Sequence, residues 1–333
     1  MTRKKIITIG GGTGSFTLLS GLKKYPVDIS AIVSMVDDGG STGILRDELG
    51  VLPPGDARQC LVALSESSKE LRDLMNYRFE EGGLKGHNFG NIFLSALEKI
   101  NGNFLKGIKK ASKILNVKGE VIPVTDQDTN LFIKLKNGKI LEGENEINHS
   151  FEIEKRGIEK IYLAPSAKSS EEAIQKILET DLIIIGPGNY YCSLVPNFLV
   201  EGISKAIKKS KAKAVLNCNL VNKKGQTEKF YLEDYVDSIN KFIGKERINL
   251  VTFNTSKPNE KLINKYKNQR ELLVKIKNKK NIKRKYRIIL ADILSAKKQK
   301  YSKSDILVEE RSFIRHDSEK LAKVLINIIE NKI

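Results

Sequence analysis

Only three cysteines occur in the 333 residues, at Cys60, Cys192 and Cys218, and none forms a CxxC pair. That excludes a disulfide framework and a thiolate zinc site, and leaves three partly buried thiols. No apolar stretch approaches the roughly 20 residues that a membrane helix needs. The opening Met-Thr-Arg-Lys-Lys leads directly into a strand-like run, without a signal-peptide apolar region. The expectation is a cytoplasmic protein with no membrane span. No internal repeat is present, and no GK[ST] follows a glycine-rich turn, which excludes a Walker loop.

What the chain has in excess is positive charge, +18 formally. From Lys257 to Arg287 there are thirteen Lys or Arg against two acids, Glu260 and Glu271. Lys275–Arg287 is therefore the one candidate polyanion patch. Tyr286 alone interrupts it, so the aromatic interleaving of a nucleic-acid binder is missing, and nucleic acid is disfavoured as a partner. Elsewhere the lysines are scattered, as on a solvated surface.

An apolar content of 40% supports a sizeable core. Strand-like runs at 5–9, 29–36, 119–124, 159–164, 181–185, 212–217 and 247–252 alternate with helical patterns. The helical patterns fall at 14–24, 56–66, 69–79, 90–100, 103–115, 170–179, 193–209, 232–242, 259–268 and 317–331. Several strands are apolar throughout, as strands buried on both faces are. The pattern predicts an α/β fold: a Rossmann-like, doubly wound, mainly parallel sheet with helices on both faces. Residues 1–333 read as a single domain. Alternation at Leu131, Ile133 and Leu135, then Asn137-Gly138, is a hairpin signal. It predicts a small β-rich insertion at 126–158, with 142–156 loop-like. Residues 269–300 form a basic, weakly patterned segment, expected as short strands and surface loop.

Five strand-end segments carry the chemistry. Ile6–Ile9 ends in Gly10-Gly11-Gly12-Thr13-Gly14-Ser15. A strand stopping in glycines and opening a helix offers backbone N–H groups and a helix dipole to an anion. Gly10 and Gly12 fit a dinucleotide fingerprint, but Ser15 takes the place of its third glycine. Next comes Asp37-Asp38-Gly39-Gly40-Ser41-Thr42-Gly43. Two adjacent carboxylates at a strand end repel unless a cation or ligand joins them. Pro54-Gly55-Asp56-Ala57-Arg58 makes a turn with Asp56 as N-cap, and Arg58 in a first helical turn suggests an anion opposite it. His87, Asn88 and Asn91 lie in Gly86–Asn91 at another helix start. Gly188 and Asn189 lie in Gly186-Pro187-Gly188-Asn189-Tyr190-Tyr191. Taken singly, each segment also reads as a structural turn; together they converge at one edge of an open sheet, where ligands bind.

These segments in this order resemble the bacterial gluconeogenesis factor family, related to 2-phospho-L-lactate transferases. The resemblance rests on residues 10–14, 36–65, 86–91, 186–200, 217–227 and Arg315-His316-Asp317, and covers nearly the whole chain. It implies a Rossmann-like fold with a smaller additional part. It also implies a regulatory binder of a nucleotide sugar, UDP-N-acetylglucosamine, without an established reaction, serving cell shape and wall synthesis on gluconeogenic carbon. The alternative it carries is a Mg²⁺-dependent transferase that moves a phospholactyl group from a guanylated donor to a deazaflavin. At Lys224-Gly225-Gln226-Thr227 the chain departs from the family's proline-glycine-glutamate-threonine turn. On the binder reading, Gly11, Gly12, Thr13 and Gly14 cradle the diphosphate and Asp37 or Asp38 holds a sugar hydroxyl or Mg²⁺. Gly39, Ser41, Thr42, Arg58, His87, Asn91 and Gly188 complete the phosphate and ligand contacts. Asn88, Asn189, Asn217 and Asn219 read base or sugar, and Tyr266 and Arg315 close the site. On the transferase reading, Asp38 and Asp56 hold the metal and are the catalytic carboxylates. Further expected partners are a regulatory protein and a second copy of the chain.

Overall fold

The computed structural model describes residues 3–277, 283–296 and 313–332. Ten strands are formed: β1 Lys4–Gly10, β2 Val27–Val33, β3 Glu120–Pro123, β4 Asn130–Leu135, β5 Ile140–Glu142, β6 Ile158–Ala164, β7 Leu182–Ile185, β8 Lys213–Asn217, β9 Leu250–Asn254 and β10 Arg287–Ala291. Seven make one parallel sheet in the order β10-β9-β8-β7-β1-β2-β3. The chain winds outward from β1 through β2 to β3, returns to β7 beside β1, and winds outward again. The strand order therefore reverses between β1 and β7, with helices covering both faces of an α/β sandwich. The inner strands are apolar because both faces are covered. All four residues of β7, Leu182 to Ile185, are buried, as are the last five of β1.

The remaining strands form a separate antiparallel sheet, β5-β4-β6. Here β4 alternates strictly, with Leu131, Ile133 and Leu135 inward. The strand-like run 159–164 belongs to this small sheet rather than to the parallel one: Phe132 pairs with Tyr162, and the two rings stack at 5.4 Å. The stretch 142–156, expected as a loop, contains two short helices, Gly143–His149 and Ile153–Arg156. One buried apolar side chain anchors each, Ile147 and Ile153. The single helix expected over 193–209 is divided into a π turn, Tyr190–Leu194, a helix Val195–Leu199 and a second helix Ile203–Lys209. Gly202, at φ +102°, makes the break. Helix Gly40–Leu49 was not expected, because glycine, serine and threonine at its start hide the periodicity.

The lysine-rich stretch runs beside the helix Leu232–Ile243, and three of its cations meet carboxylates. Lys277 pairs with Asp234, Arg284 with Glu233 at 2.6 Å, and Lys285 with Glu246 at 2.6 Å. Residues 278–282 of it lie outside the described residues. No helix among the described residues is long and apolar enough to cross a membrane. Removing a buried side chain from the strand beside the switch point leaves a cavity. Ile184→Ala should cost about 2–5 kcal/mol in urea unfolding, whereas the exposed Lys110→Ala should stay within about 0.5 kcal/mol of the parent.

Candidate functional site

Register aligns the strand ends: Gly10 lies opposite Val33, and Ile9 opposite Ile185. The turns after β1 and β7 therefore face one another at the switch point. A Cβ at Gly14 would stand 2.1 Å from the Pro187 carbonyl oxygen, so only glycine lets the two turns touch. Gly11 is the extended N-cap of helix Gly12–Leu22. The N–H groups of Thr13 and Gly14, in that helix's first turn, have no acceptor within the helix.

The next residue upward is Asp56. It does not cap its own helix, Gly55–Leu64, whose N-cap is Pro54. Its buried carboxylate instead accepts the Gly12 N–H at 2.7 Å, and its other oxygen stands where a Gly11 Cβ would be, at 2.0 Å. Burial, then the charge of Asp37, push the Asp56 carboxyl up to about 7, against the opposing pull of the Gly12 N–H and Arg58. Asp37 accepts the Gly39 N–H at 3.0 Å and is also bonded by the Thr42 side chain; burial raises it as well. Asp38 turns the other way and accepts the Asn145 N–H at 2.7 Å, at the start of the helix that follows β5.

That helix brings a residue the sequence reading missed. Glu144 is held well above the usual carboxylate range by burial and by the charges of Asp37, Asp56 and Asp38, with Lys223 acting in the opposite direction. Lys223 donates to the Asn148 amide oxygen, which also receives Asn189 Nδ2 at 2.7 Å. Ser193, in the π turn, completes the wall: its Cβ lies 3.4 Å from where a Gly11 Cβ would stand. Irregular π turns of this kind occur frequently at functional sites. The only sequence signals for these residues were the charge of Lys223 and the proximity of Ser193 to the third glycine turn.

The other expected residues divide into three groups. Gly188 and Asn219 share the edge, with Asn219 Nδ2 donating to the Gly188 carbonyl at 3.0 Å. Asn217 is fully buried, donating to the Gly186 carbonyl at 2.9 Å and accepting from Thr252 Oγ1 at 2.8 Å, so its amide ties β8 to the third glycine turn and to β9. Ser41, Thr42, His87, Asn88, Asn91 and Arg58 form a polar network behind Asp37. Ser41 Oγ accepts the Asn88 N–H at 3.1 Å and lies 3.3 Å from His87 Nδ1, and Asn91 Nδ2 reaches Thr42 at 3.3 Å. Arg58 Nε donates to Asn91 and its Nη1 to Asn76, both at 2.8 Å, and its charge acts on Asp37 and Asp56. Tyr266 is buried in a satellite apolar cluster with Leu220, Leu294 and Ile314, and its hydroxyl accepts the Phe313 N–H at 2.6 Å. Arg315 is partly buried beside His316, on the segment that leads into the last helix.

Among the described residues, no three His, Cys, Asp or Glu side chains stand close enough to hold a metal by themselves. The oxygens of Asp38 and Asp56 already accept backbone N–H groups. This chemistry suits a Mg²⁺ that keeps waters and takes one or two carboxylates plus ligand phosphates, not an all-protein cage.

Residues 6–294 match the protein family described as 2-phospho-L-lactate transferase CofD. A protein of Aquifex aeolicus is 40% identical over 340 residues, covering all of this chain and 99% of that one. The gluconeogenesis factor of Bacillus subtilis is 37% identical over 338 residues, covering 98% and 99%. The crystal structure of a UPF0052 family member from Bacillus halodurans superposes with a TM-score of 0.85 at 34% identity, covering 98% of this chain and 99% of that one.

The Asp56 carboxyl is protonated in the folded protein at pH values where it is ionised in the unfolded chain. Its contribution to stability is therefore complete below pH 4 and lost as pH rises through about 7. Unfolding free energies measured from pH 5 to 8 should fall, with a slope for this group no steeper than about 1.4 kcal/mol per pH unit. Asp56→Asn should flatten that slope; an unchanged profile would refute the assignment.

Proposed function

This chain belongs to the CofD family and within it to the gluconeogenesis factors, and from that premise we propose that it binds a nucleotide sugar of the UDP-N-acetylglucosamine type. In this role it acts as a regulatory factor for cell shape and wall synthesis during growth on gluconeogenic carbon. The observation that carries the reading is the convergence at the β1–β7 switch point of an open helix N-terminus, a lysine and several side-chain amides.

On this reading the Thr13 and Gly14 N–H groups and Lys223 take the diphosphate. Asn189 and Asn219 present amides to the sugar or the base. Asp38 accepts a sugar hydroxyl. The site is rich in acids for an anion, which sets a requirement. Either carboxyls stay protonated, as the raised Asp56 and Glu144 favour, or a divalent cation enters with the ligand. A bound Mg²⁺ would neutralise the phosphates, and Asp37, Asp38, Asp56 and Glu144 are the groups available to orient it.

The same four carboxylates support the second reading, a Mg²⁺-dependent transferase acting on a guanylated donor and a deazaflavin. In that case Asp38 and Asp56 orient the metal at the transferring phosphate.

A thermal-shift screen with UDP-N-acetylglucosamine, UDP-glucose, GDP, GMP and NAD, each with and without Mg²⁺, separates the two. A ligand at 100 times its Kd adds about 2.7 kcal/mol to the native state, which corresponds to a rise in Tm of about 4 °C for a chain of this size. The UDP sugar should produce such a rise and GDP none, and Asp38→Asn should remove at least half of it. A Mg²⁺-dependent rise with guanosine nucleotides alone would overturn the binder reading in favour of the transferase.

A further inference from the structure

Three cations of the basic stretch marked by the sequence are paired with carboxylates, and a second group of positive charges gathers at the end of the sheet opposite the glycine turns. A cavity of about 300 Å³ opens there, where β8 begins and just before β9. Lys208, Lys211, Lys213, Lys245 and Arg247 line it. The single acid of its lining, Glu246, is engaged by Lys285 at 2.6 Å. Among the described residues, none of the four lysines pairs with a carboxylate; Lys213 Nζ donates only to the Asn331 amide oxygen, at 3.0 Å.

Lysines commonly gather at a helix C-terminus to complement its carbonyls. Here that role is already filled. Buried Arg247 donates from Nε to the Ile207 carbonyl at 3.0 Å, and from Nη2 to the carbonyls of Ser210, at 2.9 Å, and Ala212. Its Nη1 donates to Asn249 Oδ1 at 2.9 Å. The end of helix Ile203–Lys209 is therefore capped by a fixed guanidinium, and the four exposed ammonium groups add charge that the fold does not need. Like charges around one cavity repel. A compact polyanion would relieve that repulsion.

We propose that this cavity is a binding site for a small phosphate-bearing anion, separate from the glycine-turn crevice and independent of the nucleotide-sugar reading. Ammonium and guanidinium groups are the usual partners of phosphate oxygens. The concave shape and volume suit a pyrophosphate or a small phosphorylated metabolite. The absence of any aromatic residue from the lining gives a nucleic-acid base no stacking platform.

The test is calorimetric titration of the full chain with inorganic pyrophosphate, using the surface variant K211E/K245E and the crevice variant Lys223→Ala. The expected result is at least a tenfold weaker Kd in K211E/K245E, an unchanged Kd in Lys223→Ala, and weakening with added salt. Equal binding by all three proteins, no binding at millimolar pyrophosphate, or loss only in Lys223→Ala would overturn the proposal. So would a duplex oligonucleotide that binds in a K211E/K245E-sensitive manner and displaces pyrophosphate, since the site would then serve nucleic acid. Should K211E/K245E fold poorly, amine-labelling footprinting of the unmodified chain decides. Pyrophosphate should protect Lys211 and Lys245 from acetylation, and unchanged labelling of both would refute the site.

Discussion

One hydrogen bond sets the conditions for the whole ligand edge: the buried Asp56 carboxylate accepting the Gly12 N–H. It ties the helix after Pro54 to the first glycine turn, and it does so with a charged group in a place that disfavours charge. Everything nearby responds to that choice. Asp37 stands close enough to raise the cost of ionising Asp56, and Asp37, Asp56 and Asp38 raise that of Glu144, while Arg58 favours ionisation of Asp37 and Asp56 and Lys223 that of Glu144. A purely structural cap would be served as well by serine or asparagine without the electrostatic penalty. Strained electrostatics of this kind concentrate at functional sites, because a ligand or cation can discharge them.

Much of the fold was legible because its signals are local. Ile6–Ile9 and Leu182–Ile185 are apolar on both faces and could only be interior parallel strands, and their terminal glycines located the edge. What stayed hidden depends on distance or ambiguity. Glu144 joins the carboxylates only because β4 and β5 deliver it across the crevice, more than a hundred residues from Asp37. In the sequence it is one acid among several in a polar stretch. Ile158–Ala164 carries the same apolar residues as a parallel strand, and nothing within it says which sheet it joins. Arg58 and Asn217 carry hydrogen bonds within the protein that their spacing in the sequence could not show.

The charge of the chain teaches the same lesson. Counting lysines along the sequence picked Lys275–Arg287, yet the helix Leu232–Ile243 brings Glu233 and Asp234 against it. Lys208, Lys211 and Lys213 belong to a short lysine-rich run, Lys205–Lys213, whereas Lys245 stands alone more than thirty residues later. Only the sheet places them around one cavity. The molecule thus carries two ends of different electrostatic character: an acidic, hydrogen-bonded edge at the strand C-termini and an unpaired basic hollow at the opposite side.

The parallel pairing of β1 with β7 has a mechanical meaning. Four register pairs, Ile6 with Leu182 through Ile9 with Ile185, form the only strand ladder among the described residues that joins β1–β3 to β7–β10. It is a seam between two half-sheets. A molecule gripped from both the Gly11–Gly14 turn and the Gly188–Asn189 turn spans this seam at its open end and acts as a second fastener. Its binding energy is then spent on joining two cooperative units into one. Amide exchange along the seam would register occupancy of the crevice even where no exchanging amide touches the ligand.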